Sequence, residues 1–272
     1  MTDPLPVLRS RSLEKAQFQH GFSTREGGVS EPCHPAARSL DFALLREPAT
    51  LRENQRRLAA AVGFDPDRLY QTRQVHGRTL AVGAGDRAAL EAQDADALIG
   101  EPGSHAAVAV RVADCVPVLL ADPQTGRVAA VHAGWRGIVA DVVGAAVRHL
   151  ANARSRDGSS SSAREASGII AAIGPCIGPC CFEVGADVGQ TIARATTDDV
   201  IASRDDARGK VYVDLRTAVR AQLRDLGLSD SSIDDVPDRS RHACTRCNEG
   251  LFYSYRRDGD ASGRLLAVIV AR

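Results

Sequence analysis

From Ala106 to Ala121 the chain runs through valine, alanine and leucine with Arg111 and Asp114 as its main interruptions, then turns within Asp122 to Gly126 and resumes as Arg127-Val128-Ala129-Ala130-Val131-His132. A valine-rich run bounded by His105 and by Asp122-Pro123 reads as a buried strand, with Asp114-Cys115 at its interior or its end. A turn this short joins antiparallel neighbours. The hairpin therefore brings Cys115 and His132 to the same end of one sheet. After it, Trp135 to Leu150 reads as a helix whose apolar stripe is Val139, Val142, Val143, Ala146, Val147 and Leu150.

Around this hairpin the pattern alternates between strand-like and helix-like segments. His20 to Ser30, with Thr24, Arg25, Gly27 and Gly28, reads as a hairpin or an active-site loop. Ala49 to Val62 has helical spacing at Leu51, Leu58, Ala59 and Val62 and should stop near Gly63. Ala151 to Gly168, with four consecutive serines at 159–162, has the composition of a mobile surface loop. Ile169 to Ile173 reads as a strand and Leu215 to Leu226 as a helix. Leu251 to Tyr255 and Arg264 to Val270 read as strands separated by a turn at Asp258-Gly259. No internal repeat is visible. Strands interspersed with helices and joined partly by hairpins point to an α+β or mixed-sheet α/β fold rather than a pure parallel sheet, and with 151–168 read as a surface loop rather than a linker the chain is taken as one domain over residues 1–272.

Composition narrows the function classes. With 44% hydrophobic and 25% charged residues, a chain of 272 can build a sizeable core without staples. Its 34 basic residues balance 34 acidic ones, so no bulk field draws it to nucleic acid or to an anionic membrane. A small-molecule partner is the expectation. Met1-Thr2-Asp3-Pro4 does not begin a secretory signal, and no stretch of ~18 apolar residues occurs, so a cytoplasmic protein is expected. Seven cysteines, an odd count, suggest reduced thiols rather than a disulfide framework. Cys244-Thr245-Arg246-Cys247 has redox or zinc spacing, but one C-x-x-C pair alone is a weak signal. Gly174 to Val184, which holds Cys176, Cys180 and Cys181, must turn sharply, and the roles of these thiols stay open.

Three separated segments carry metal-capable or nucleophilic side chains among glycines and apolar residues: Gln74-Val75-His76-Gly77, Ala113-Asp114-Cys115-Val116-Pro117, and His132-Ala133-Gly134-Trp135-Arg136-Gly137. Two imidazoles and a thiolate suit a catalytic zinc that holds three protein ligands and keeps a fourth position open. Cys115 lies 39 residues after His76, and His132 lies 17 after Cys115, so a folded scaffold would have to gather them. Structural zinc modules use closely spaced pairs instead. Spacing alone leaves Cys115 equally readable as a small buried hydrophobe.

Taken together with Gly174 to Glu183 and Phe252 to Gly259, these motifs resemble one bacterial family over about residues 20–270. It is known as multicopper polyphenol oxidase or laccase-like, and also as purine nucleoside phosphorylase, with members called peptidoglycan editing factor. The resemblance implies a mixed β-sheet sandwich flanked by helices, with His76, Cys115 and His132 as zinc ligands and catalytic centre. It implies phosphorolysis of adenosine and inosine to free base and ribose 1-phosphate, with adenosine deamination and methylthioadenosine cleavage as associated activities. Arg25, Arg136, Arg256 and Arg257, placed in the matching motifs, become candidates for holding substrate and phosphate, because a guanidinium makes bidentate contacts to oxyanions. Two departures from the family pattern, Ser39-Leu40-Asp41-Phe42-Ala43 and Asn54-Gln55-Arg56, fall away from the proposed ligands.

Four other readings bear on the same residues. The nucleobase deaminase signature H-x-E with P-C-x-x-C is absent, so deamination would need an acid or base that no motif supplies, Glu183 included. Copper oxidation, which the family label names, fits poorly: a blue-copper site wants a weak axial ligand such as Met, and the only methionine is Met1. A Cys-His hydrolase, with Cys115 as nucleophile acting on amides of peptidoglycan precursors, uses the same three side chains. A metal-stabilised binding module without turnover is the fourth.

Overall fold

A computed structural model describes residues 5–31, 39–44, 46–152, 166–237 and 243–272. Two sheets carry the architecture. The first runs β1 (Val7–Leu8), β2 (His20–Ser23), β15 (Leu265–Val270), β7 (Ala107–Val112), β4 (Leu69–Tyr70). The second runs β14 (Ile233–Asp235), β10 (Ile170–Ile173), β8 (Val116–Ala121), β9 (Val128–Ala133), β6 (Ala97–Gly100), β5 (Leu80–Val82). Each mixes parallel and antiparallel pairs, β4 with β7, β5 with β6 and β10 with β14 being parallel. A third small sheet joins β11 (Glu183–Gly185), β13 (Lys210–Val213) and β12 (Ile201–Asp205).

Period-two alternation explains the layering. Val108, Val110, Ala267 and Ile269 of the first sheet meet Leu98, Leu119, Ala121, Val128 and Ala130 of the second in one core. Their neighbours in sequence point the other way. Ala107, Ala109, Leu266 and Val268 pack under Leu58 and Val62 of α2 (Pro48–Val62). Ile99, Val118, Leu120 and Val131 pack under Val143 and Val147 of α5 (Val142–Asn152) and Val219 of α7 (Leu215–Asp225). The result is helix, sheet, sheet, helix. Strands buried on both faces read as continuous apolar runs, and truncating one such residue, Leu119, at 0% exposure, should cost about 2–5 kcal/mol. Shorter helices α1 (Arg11–Lys15), α3 (Arg87–Ala92) and α6 (Ala186–Ala195) complete the periphery.

The expected α+β fold with mixed sheets flanked by helices is what the structure shows. The hairpin is present: Val116 pairs with Ala133 and Pro117 with His132. The helix expected over 49–62 is α2, closed by Gly63 in the left-handed conformation.

Four local readings change. The run from Ala106 to Leu120 is not one strand but two, β7 and β8, which lie in different sheets; Asp114, at φ +86°, turns the chain between them. Periodicity cannot register that a continuous apolar run crosses a sandwich. The stretch Trp135 to Leu150 is likewise split into α4 (Trp135–Val139) and α5, with Asp141 at φ +66° between them. Leu251 to Tyr255 forms no strand, because Ser254 caps the short α8 (Tyr255–Asp258) through its hydroxyl and the Arg257 N–H. β3 (Glu26–Ser30) pairs not with β2 but, by isolated bridges, with Ser39. The loop expected at 151–168 falls mostly on 153–165, outside the described residues.

Candidate metal centre and cleft

One carboxylate organises the first cluster. Asp96, buried just ahead of β6, accepts the backbone N–H groups of Val75 at 3.2 Å, His76 at 2.9 Å and Gly77 at 2.7 Å. These bonds hold His76 at φ +61° in its loop. The same Asp96 carboxylate accepts His132 Nδ1 at 2.8 Å, which leaves His132 Nε2 as the nitrogen that meets Cys115. Burial pushes Asp96 up, but the bonds from His132 and Gly77 prevail and hold it below the usual carboxylate range. Gln74 ties this loop to β7 by a reciprocal pair, its amide donating to the Arg111 carbonyl at 2.7 Å and accepting the Arg111 N–H at 2.8 Å.

Cys115 enters from the crossing between the sheets. Its Sγ lies 3.8 Å from His76 Nε2, and one ligand atom from each of His76, Cys115 and His132 lies within 4.8 Å of the others. Tetrahedral zinc with Zn–N near 2.0–2.1 Å and Zn–S near 2.3 Å separates its ligand atoms by about 3.5 Å, so the trio fits such an ion with small adjustment. Gly134 permits the approach: a Cβ there would sit 2.7 Å from His76 Cδ2 and 3.1 Å from Cys115 Sγ. Burial opposes charge on both Cys115 and His132, yet their mutual attraction outweighs it. The thiol falls to about 6, and the imidazole, also bonded to Asp96, rises to about 9.

Asp114 supports Cys115 from behind. Its carboxylate accepts the Thr245 hydroxyl at 2.6 Å, the Ser254 hydroxyl at 3.0 Å and the Arg256 N–H at 2.6 Å. It therefore couples the His-Cys-His cluster to the segment carrying Arg256.

All three candidate ligands border a cleft of about 660 Å³, within the range of small-molecule sites. Five arginines line it, Arg73, Arg111, Arg136, Arg256 and Arg264, against one carboxylate, Asp114, which is already committed; Arg73 is itself paired with Asp94. Arg136 lies 4.5 Å over the Trp135 ring, and Arg256 lies 5.4 Å over Phe182 while bonding the Glu183 carbonyl. Burial lowers Arg111 to about 10, which leaves it cationic at neutral pH; its Nη2 bonds the Thr72 carbonyl, and its Nη1 is buried without a partner among the described residues.

Arg25 is placed elsewhere: its guanidinium bonds the Glu249 carbonyl at 2.8 Å and stacks 4.9 Å from Tyr253, outside the cleft lining. Arg257 is occupied with the carbonyls of Thr245, Arg246 and Phe252. Glu183 pairs with Arg208 and Tyr212 and does not line the cleft. The sequence reading passed over Asp96, Arg73, Arg111 and Arg264. Asp96 does leave one trace, a carboxylate at the mouth of an apolar strand.

Residues 19–272 match the family model described as multi-copper polyphenol oxidoreductase laccase. The chain belongs to that family. Within this laccase-like family, a purine nucleoside phosphorylase of Deinococcus radiodurans is 36% identical over 272 residues, covering 99% of this chain and 94% of that one. A protein named adenosine deaminase RL5, from an unknown prokaryotic organism, is 37% identical over 217 residues, 76% of each chain. The fold of the laccase-like family recurs in the crystal structure of Bacillus licheniformis hypothetical protein YfiH, with a TM-score of 0.81 and 28% identity over 100% of this chain and 98% of that one. Among the described residues no helix is long and apolar enough to cross a membrane.

Proposed function

We propose that the cleft is the active site of a zinc-dependent purine nucleoside phosphorylase that cleaves adenosine and inosine. The observation that carries this reading is the concentration of five arginines around a His-Cys-His cluster in a chain of zero net charge. Such a lining favours a small anion beside a small uncharged ligand. The phosphorylase names of the relatives agree with it.

His76, Cys115 and His132 would hold the zinc, with Asp96 orienting the His132 imidazole and fixing the backbone of the loop that carries His76. When bound at such a site, zinc supplies Lewis acidity at its one open position. The chain's own residues then divide the remaining work. Arg136 and Arg256, joined by Arg111 and Arg264, hold phosphate with an oxygen directed at the ribose C1′. That oxygen bonds to C1′ as the bond from C1′ to the base nitrogen breaks; the base leaves with the electron pair and takes up a proton. Trp135, Phe182, Leu44 and Tyr255 supply apolar and aromatic walls for base and sugar. We read the chain as one cytoplasmic domain. Adenosine deamination and methylthioadenosine cleavage belong to the same proposal, the first in line with the name of one relative. Copper-dependent phenol oxidation does not.

A second reading rests on one arrangement. Cys115 beside His76 and His132, with Asp96 bonded to His132, has the order of a nucleophile, a base and an orienting acid. That would serve a hydrolase acting on amide-linked cell-wall precursors. Base release from adenosine and inosine by zinc-quantified protein, with and without phosphate, decides between them. Release that needs phosphate and tracks zinc content establishes the phosphorylase. No release by fully loaded protein, with amide cleavage that survives chelation but not thiol alkylation, establishes the hydrolase.

A further inference from the structure

A second cluster lies behind the cleft wall. Cys180 and Cys181, from the turn after β10, meet Cys244 and Cys247, and one Sγ from each lies within 4.8 Å of the others. Cys181 Sγ is 3.3 Å and Cys180 Sγ 3.6 Å from Cys247 Sγ. We propose that Cys180, Cys181, Cys244 and Cys247 hold a structural zinc ion that fixes one wall of the cleft.

Four thiolates at about 2.3 Å from zinc stand about 3.8 Å apart, which is the scale of this cluster. A four-sulfur tetrahedron is a closed, structural type of site. All four thiols are free, and Cys180 and Cys181 both approach the Cys247 sulfur. The local backbone is shaped for thiolate ligands: the Gly178 N–H donates to Cys244 Sγ at 3.2 Å, and the N–H groups of Cys181 and Phe182 both return to the Gly178 carbonyl at 3.0 Å, curling the adjacent cysteines inward.

The ion would join segments 63 residues apart, from Cys181 to Cys244. Both segments feed the cleft. Phe182 follows Cys181 directly, and Thr245, next to Cys244, donates to Asp114, which also holds the Arg256 N–H. The backbones of Cys176 and Cys244 pair as an isolated β-bridge, with the Thr245 N–H donating to the Cys176 carbonyl at 3.0 Å. Closing a loop of this length by a metal stabilises the fold through the unfolded state.

The test is metal stoichiometry on the full chain purified under reductant. Wild type should carry two zinc ions, Cys115→Ala one, Cys247→Ser one, and the double variant none. Should Cys247→Ser fail to fold, cobalt substitution of Cys115→Ala gives an independent readout: intense thiolate-to-cobalt charge-transfer bands should persist there. Alkylation of the same protein should modify four fewer thiols before chelation than after. One zinc in wild type and none in Cys115→Ala would overturn the proposal. So would iron with its visible chromophore, or a mass deficit showing disulfides among these four cysteines. Because none of these readouts uses turnover, their outcome is independent of whether the cleft is a phosphorylase.

Discussion

The two sulfur-bearing clusters of this chain differ in what surrounds their donors. His76, Cys115 and His132 face a cleft of about 660 Å³ and offer three ligands, so one direction stays open to whatever enters. Cys180, Cys181, Cys244 and Cys247 offer four thiols that turn toward each other, and a metal among them has no direction left for substrate. Their supports differ too. A buried carboxylate, Asp96, holds the first set, whereas in the second the Gly178 backbone N–H donates to the Cys244 sulfur. Chemistry is expected where coordination is incomplete, and architecture where it is closed. Asp114 connects the two, with Cys115 next to it in sequence and Thr245 of the other cluster hydrogen-bonded to its carboxylate.

The largest expected effect separates the two outright. Cys115→Ala should lower base release on the order of 10³-fold, since a Lewis acid is worth several kcal/mol and each ~1.4 kcal/mol is a decade. Cys247→Ser, if folded, should retain far more turnover, with the loss concentrated in KM as the wall carrying Phe182 and Arg256 loosens. Equal losses in kcat from both would erase the distinction. Next comes Asp96→Asn, which keeps the shape but cannot accept from His132 and three backbone N–H groups at once. Zinc affinity at the open site should fall about 10–100-fold, measured by chelator competition, with the thiol cluster unaffected. Smaller still, Arg136→Ala should raise the KM for phosphate roughly tenfold, the scale of a charge-assisted hydrogen bond. Arg25→Ala, which alters a residue outside the cleft lining, should leave that KM nearly unchanged.

How much of this was legible in the sequence depended on how local the signal was. The hairpin of β8 and β9 was readable because a short turn separates two apolar runs, and α2 because its spacing and Gly63 agree. The three candidate ligands were visible as donor types in glycine-flanked motifs. Asp96 was not, since its importance comes from bonds to His76 and His132, 20 and 36 residues away. The crossing at Asp114 was hidden by valine on both sides of it. The thiol cluster was half visible: Cys244 and Cys247 carry the spacing, but their partners are an adjacent pair that matches no usual ligand pattern.

The smallest expected effect concerns pH, and it follows from where the protons sit. In the metal-free protein the Cys115 thiol drops from 9.0 to about 6 and the His132 imidazole rises from 6.5 to about 9. Taken singly, the lowered thiol contributes stability that is present above 9.0 and lost as pH falls through about 6. The raised imidazole contributes stability that is present below 6.5 and lost as pH rises through about 9. Between 6.5 and about 9 these slopes oppose each other, because the proton that leaves Cys115 is the one that His132 keeps, and folded and unfolded chains bind equal numbers. Denaturation midpoints of metal-free protein should therefore show almost no pH slope from this pair across that window. Reactivity should behave otherwise. Alkylation of Cys115 by iodoacetamide should switch on through about pH 6, where its thiolate forms. Cys247, pushed up to about 11 chiefly by its contact with Cys181, should lag far behind in the same sample. A Cys115 midpoint near 9 would mean that no ion pair forms with His132, and the two clusters would then differ in geometry alone.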